Sequence, residues 1–386
     1  MSMFKIKKRN IKDLLLIVVF ISFFEPNYLV QLSSLHFICQ TITIIAVFNV
    51  FVVCVINHIK FNRITIYTIS YGSFMVITSG FHNTLELSLL RFVLVLIVID
   101  LYFALYGFER IRKIMLLTLS YLTILNLVLQ LFARSSVESV VGPTGWFLTG
   151  SNALVSYTMP TVCLAIVSIE KKKQIWFSIL SIAVCLYTAI ISTTATTIFV
   201  LFLIVGVWSF QKAINMNLIK INWVVTIIVL GFFILVVFQV QEKIFLIKFI
   251  VEDVLQRDMS FTSRTFVWSE SFHQIIQSPI IGHGSPYSFH VNVNVDGVGF
   301  WVDHAHNHYL QQLVQGGIIQ LLLFILLINE VLKKIKRMPG KVIAWGIVSL
   351  LIMGIMFLVE SYTNVIIYSI IYLIYAFCDE YFASMK

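Results

Sequence analysis

The stretch Leu85-Glu-Leu-Ser-Leu-Leu-Arg-Phe-Val-Leu-Val-Leu-Ile-Val-Ile-Asp-Leu-Tyr-Phe-Ala-Leu-Tyr-Gly107 decides the fold. Its nearly unbroken apolar run matches the roughly 20 residues that a helix needs to cross a bilayer. In hydrocarbon every backbone polar group must be bonded internally, so the run is a helix and not an open strand. Runs of the same kind recur on both sides of it. Hydrophobic residues make up 59% of the chain and charged residues 12%, whereas about a quarter of a soluble domain is charged. A globule has too little interior to hide that much apolar surface. Twelve spans are expected, near 12–31, 35–56, 64–80, 85–107, 113–132, 150–169, 174–191, 195–211, 221–241, 307–330, 341–360 and 362–379. The chain therefore reads as an all-α polytopic membrane bundle, a single integral domain over 1–386.

The net charge of +9 does not point to nucleic acid, because the basic residues sit in short clusters between apolar runs. Twenty-one of the 27 Lys and Arg fall in one alternating class of loops, five fall in the other, and Arg91 lies within a span. The basic class is cytoplasmic by the positive-inside rule, which puts both termini inside. Lys5–Lys12 followed by an apolar run imitates a signal peptide, but Glu25-Pro-Asn27 stands where a small-residue cleavage site belongs. An uncleaved first helix is expected. The five cysteines lie within or at the ends of apolar runs without metal-ligand or disulfide spacing, and read as small buried hydrophobes.

Two outer loops stand out: residues 241–306, and the shorter, Gly- and Ser-rich 133–149. The long loop is too aromatic and apolar for disorder. Within it, Ser263 to Gln277 reads as a helix capped by Thr262 or Ser263 and ended by Pro279. Trp268, Phe272, Ile275 and Ile276 share its apolar face. Arg264 falls in the first turn, where a cation opposes the helix dipole unless an anion binds there. Gly282-His283-Gly284 permits a tight turn that could expose backbone amides. Asp303-His-Ala-His-Asn-His-Tyr309 then runs into the tenth span, where His304 and His308 would share a helix face. Such a cluster suits a general base or hydrogen bonding to sugar and phosphate. Metal binding is the weaker reading, since Asp303 is the one acidic partner at a useful spacing, and no metal is assigned. Arg91, about 9 Å below the outer mouth at 1.5 Å per residue, could meet a diphosphate or pair with Glu86 or another buried acid.

These residues resemble a family. Ser263-Arg264, Trp268, Ser278-Pro-Ile-Ile-Gly-His-Gly284, His304-Ala-His-Asn-His-Tyr309 and Gly316-Gly-Ile-Ile319 are similar to the O-antigen ligase and polysaccharide polymerase (Wzy) superfamily. Gly145-Trp-Phe147 and Ser151-Asn-Ala-Leu154 resemble its pre-helix motif, whereas Thr193–Thr197 holds no arginine where many members place Ser-Arg. The resemblance implies a GT-C-like membrane-embedded glycosyltransferase that uses undecaprenyl-diphosphate-linked oligosaccharides and needs neither cofactor nor metal. It carries a loop arginine onto Arg264 and a loop histidine onto His304 or His306. Arg91, with Arg257 behind it, is a further candidate for the diphosphate. His283, Asn307, Trp268 and Asn152 are substrate-binding candidates from the motifs. The expected activity is polymerisation of O-antigen, capsular or exopolysaccharide repeat units at the outer face of the bacterial cytoplasmic membrane. The alternatives are ligation of the glycan to an acceptor and, from a different class, a polysaccharide transporter or flippase. Membrane lipids, a chain-length regulator and a flippase are the expected partners, and nucleic acid is not.

Overall fold

The computed structural model describes residues 2–143, 145–210, 221–238, 264–292 and 299–385. Among these, twelve helices answer the twelve expected spans: α1 (Ser2–Phe23), α3 (Ser33–Ile56), α4 (Arg63–Phe81), α5 (Leu87–Tyr106), α6 (Phe108–Phe132), α8 (Val155–Glu170), α9 (Ile175–Ser192), α10 (Ala195–Phe210), α11 (Ile221–Gly231), α13 (His308–Ile335), α14 (Gly340–Val359) and α15 (Val365–Ser384). Three short helices lie between them: α2 (Asn27–Gln31), α7 (Arg134–Val141) and α12 (Arg264–Gln277). Eight of the helices are long and apolar enough to cross a membrane. The chain is a polytopic helical bundle.

Two expectations need correction. The first span does not run to residue 31. The helix ends at Phe23, and Pro26 starts the separate turn of α2, because proline lacks the N–H that would continue a helix. The long loop is also not purely helical. Strands β1 (Phe289–Asn292) and β2 (Gly299–Val302) pair antiparallel within it, with His290 opposite Trp301. The Phe/Val-rich alternation suits a half-buried ribbon, and Phe289, Val291 and Val302 pack on Val267 and Val314.

Helix α8 is buried along nearly its whole length and packs against α6, α9, α10 and α15. Next to it α4, α13 and α15 meet through polar side chains. Tyr71 Oη donates to Gln312 Oε1 at 2.8 Å, Tyr71 and Tyr368 hydroxyls lie 3.1 Å apart, and His308 Nε2 lies 2.9 Å from Tyr368 Oη. Gln320 Nε2 reaches the same Gln312 oxygen at 2.8 Å. In an apolar surround an unmade hydrogen bond is costly, so this network sets the register of three helices. Ion pairs gather at the bundle ends. Lys171 binds Glu109 at 2.6 Å and Glu380 at 2.7 Å, and Lys334 pairs with Asp379, all at the bundle end where the basic clusters of the expected cytoplasmic class lie.

Candidate active site

The loop is seated by a break in α13. Gly317 departs from helical geometry there (φ 60°), which frees carbonyls that a continuous helix would bond. The segment after α12 fills the gap. His283 N donates to Val314 O at 2.9 Å and Gly284 N to Gln315 O at 2.8 Å, while Ile318 N donates to Pro279 O at 2.9 Å. A Cβ on Gly317 would stand 2.3 Å from backbone atoms of Ile280, and one on Gly282 would stand 2.4 Å from backbone of Gln315 and Gly316. Both glycines have positive φ, which L side chains adopt only with strain. The Gly-His-Gly and Gly-Gly motifs are thus the two sides of one backbone contact. The amides expected to be exposed by the Gly-His-Gly turn are instead spent on α13.

Seated this way, the start of α12 and the segment before α13 meet the turn between α14 and α15. Glu360 ends α14 in extended conformation. Arg264 Nη2 lies 3.1 Å from its Oε2, His306 Nδ1 lies 3.0 Å from its Oε1, and His304 Nε2 lies 3.3 Å from the same Oε1. The two imidazole centroids are 4.2 Å apart. Burial alone would raise the Glu360 carboxyl. The hydrogen bonds from His304 and His306 and the charges of His306 and Arg264 outweigh burial and hold it below the usual carboxylate range. An ionised carboxylate only accepts, so each facing ring nitrogen carries a proton, and His304 Nδ1 and His306 Nε2 are the positions where a neutral ring would accept one. His306 holds a positive φ of 46°, a costly backbone state that persists where the surroundings enforce it. Part of that enforcement is Trp268, 1% exposed, whose Nε1–H donates to His306 O at 3.4 Å.

Residues 176–325 match the family model described as O-antigen ligase. Over that segment the chain resembles the O-antigen ligase and Wzy superfamily. A candidate polysaccharide ligase of Rickettsia conorii is 33% identical over 98 residues. That alignment covers 23% of this chain and 24% of the Rickettsia protein, so the match spans about a quarter of the relative's length. No solved structure matches. The O-antigen ligase match takes in both loop arms, with Arg264, His304 and His306, and stops before Glu360.

The other residues singled out in the sequence have different surroundings. Asn307 is fully buried, accepts from Leu310 N at 2.9 Å as the cap of α13, and donates to Leu358 O at 2.8 Å. Its side chain thus fixes the start of α13 against the end of α14. His283 Nε2 bonds Gln274 O at 2.9 Å and its ring stacks on Tyr287. Arg91 spends both terminal nitrogens on the end of α1, at 2.6 Å from Glu25 Oε2 and on Ser22 O; its acid is Glu25 and not Glu86. His308 opens α13 and points at Tyr368, whereas His304 lies in the turn before the helix, so the two do not share a helix face. Ile276 is 76% exposed and leaves the apolar face that Trp268, Phe272 and Ile275 form. Asn152 is exposed in the 3-10 turn Ser151–Ala153, Trp146 is buried, and Trp301 is exposed on β2. Arg257, Thr262 and Ser263 lie outside the described residues.

Glu360 is the member of the cluster that sequence reasoning missed. Its signal was modest: one carboxylate in a short turn between two spans, Glu360-Ser-Tyr-Thr-Asn364. It also revises the metal question. Among the described residues His304, His306 and Glu360 form the one set that offers three ligand atoms within 4.8 Å, a ligand count that zinc accepts. The Arg264 guanidinium already lies on the other carboxylate oxygen, and its positive charge opposes a divalent ion there.

Proposed function

We propose that this chain transfers a glycan from a polyprenyl-diphosphate donor to a sugar hydroxyl, and that it does so as a polymerase joining undecaprenyl-diphosphate-linked repeat units at the outer face of the cytoplasmic membrane. The observation that carries the reading is the convergence of Arg264, from the start of α12, and of His304 and His306, from the segment before α13, on Glu360. Transfer needs a base for the acceptor hydroxyl and a cation for the leaving diphosphate. The hydroxyl oxygen attacks the anomeric carbon, its proton passes to the basic nitrogen of His304 or His306, and the bond to the diphosphate breaks with the electron pair leaving on phosphate oxygen. Arg264 uses Nη2 on Glu360, and a guanidinium has further N–H groups that suit phosphate oxygens. Glu360 positions the two rings and sets their tautomers, as the carboxylate does in a Ser-His-Asp triad. No step requires a metal.

An apolar groove of about 480 Å³ between α11, α13 and α14 supports a lipid-linked donor. It reaches Tyr309 and Phe357, both within a few residues of the cluster, and Phe232 and Phe233 flank it. A polyprenyl tail lying there would bring its diphosphate up to Arg264. The specific reason to keep ligation as a second reading is that the matching family model and the Rickettsia protein are both described as ligases. The two activities share the chemistry and differ in the acceptor.

The test uses Arg264→Ala, His304→Ala and His306→Ala in cells, with membrane levels of each protein matched. We expect single repeat units to accumulate on lipid while long-chain product disappears in Arg264→Ala and in at least one histidine variant. Arg264→Lys should recover part of the activity, since lysine keeps the charge but not the fork that fits phosphate. Full-length polymer from all three alanine variants would refute the site. Normal polymer left untransferred to its acceptor would replace polymerase by ligase.

A further inference from the structure

A cavity of about 430 Å³ opens beside the cluster, between the start of α5, the Ser285–Pro286 segment, α13 and the turn after Glu360. Its lining includes Glu86, Asp303, His304, Gln311, Gln315 and Ser361, and no Lys or Arg among the described residues. Gln315 is 4% exposed, yet its amide oxygen has no hydrogen-bond partner. The Ser361 hydroxyl is likewise buried at the atom and unpartnered. Buried polar atoms without partners are uncommon because each carries a desolvation cost, and those that persist call for a ligand or other explanation. The charged side chains here are two exposed carboxylates, and beside them lies the unsatisfied amide oxygen of Gln315. Glu86 accepts from Ser88 at 3.0 Å and Asp303 from Ser288 at 3.0 Å, which holds both in place. Acceptors call for donors, and the hydroxyl groups of a glycan are donors in quantity.

The sign of the charge divides the site. Arg264, the cation of the cluster, is not in the cavity lining, whereas the two carboxylates are. A diphosphate and this cavity repel each other. His304 belongs to both places, since it touches Glu360 and lines the cavity. We infer that the Glu86–Asp303–Gln315 cavity is the acceptor subsite, and that it takes neutral or amino sugars and rejects sugars bearing carboxylates. This rests on the reading of the chain as a glycan transferase. It adds which substrate lies on which side, it makes His304 the base that meets the acceptor hydroxyl, and it restricts the chemical class of the acceptor unit.

The experiment reads binding and does not depend on turnover. Thr363, exposed on the cavity rim, is changed to cysteine in a full-length chain whose five native cysteines are replaced. Labelling is followed in membranes at low ionic strength with two methanethiosulfonates of similar size, one trimethylammonium and one sulfonate. The cationic reagent should react faster by about fivefold or more, since two exposed carboxylates attract one reagent and repel the other even at the dielectric of water, and the ratio should shrink in 0.5 M salt. Chito-oligosaccharide and its deacetylated, amino form should slow the labelling, while oligogalacturonide of equal length should not. In Glu86→Gln/Asp303→Asn the reagent preference should vanish and oligogalacturonide should begin to protect. Protection of the unaltered cavity by oligogalacturonide, no protection by any of the three sugars, or an unchanged reagent ratio in the double variant would each overturn the assignment. Loss of transfer chemistry in the Arg264 and His304 tests is scored separately by product length. A cavity that passes here in a chain without transferase activity would therefore keep the sugar site and discard the enzyme.

Discussion

Glu360→Gln removes one charge and almost no volume. In the native chain Oε2 accepts from Arg264 at 3.1 Å while Oε1 faces His306 at 3.0 Å and His304 at 3.3 Å. An amide offers one oxygen and one NH₂, so it can serve only one side. With its oxygen toward the histidines it sets NH₂ against a guanidinium N–H. Reversed, it sets NH₂ against two protonated ring nitrogens and forces the other tautomers. The Glu360 side chain is only 13% exposed, so solvent cannot substitute fully for the lost partner. A hydrogen bond to a charged group contributes about 1.5–3 kcal/mol, and about 1.4 kcal/mol is a factor of ten in rate. The expected fall is therefore about 10- to 150-fold in chain-extension rate if one such contact is lost at the transition state. The assay is initial-rate extension of a lipid-linked repeat unit in proteoliposomes, with products resolved by length and protein amounts matched. A detergent melting curve guards against simple unfolding. Extension by Glu360→Gln within twofold of the native rate would refute the claim that this carboxylate sets the histidines. The pH behaviour has a definite sign. A carboxyl held below its ordinary value contributes stability that is present above the unfolded value and lost as pH falls through the folded one. The cluster should thus keep its Glu360 contribution at pH 5, below neutrality by two units, and lose it only in stronger acid.

Gly317→Ala should unseat the loop, since the new Cβ would stand 2.3 Å from Ile280 backbone at a φ of 60°; a cost of about 1–3 kcal/mol or more is expected, read as a lowered melting temperature together with loss of extension, and unchanged values for both would contradict the seating. Chelation should leave extension intact because Arg264 supplies the positive charge, and loss with EDTA that one divalent ion restores would assign His304, His306 and Glu360 as its ligands. A cysteine at exposed Ser288, in a background without the native cysteines, should react with an impermeant thiol reagent in intact cells, and reaction only after permeabilisation would reverse the orientation drawn from the basic loops.

The sequence by itself determined the bundle. Apolar runs of bilayer length leave the backbone no option but helix, and the helices α3 to α15 fall close to where those runs lie. It also singled out the two arms of the candidate site, because Arg264 in the first turn of a helix and the close histidines His304 and His306 are local patterns. What tertiary structure decided is the partner of those arms. Glu360 lies 54 residues beyond His306 and 96 beyond Arg264, and no periodicity links positions that far apart; only the packing of α13 and α14 brings them together. The same holds for Arg91, which a span reading sets near Glu86 but which the bundle pairs with Glu25, 66 residues earlier. It holds for Asn307, whose place in a motif reads as contact with substrate until its cap on α13 and its bond to Leu358 O account for it. Helix formation is settled within a few turns of chain. A site built from two loop arms and a helix end is settled by which surfaces the packed bundle leaves facing one another.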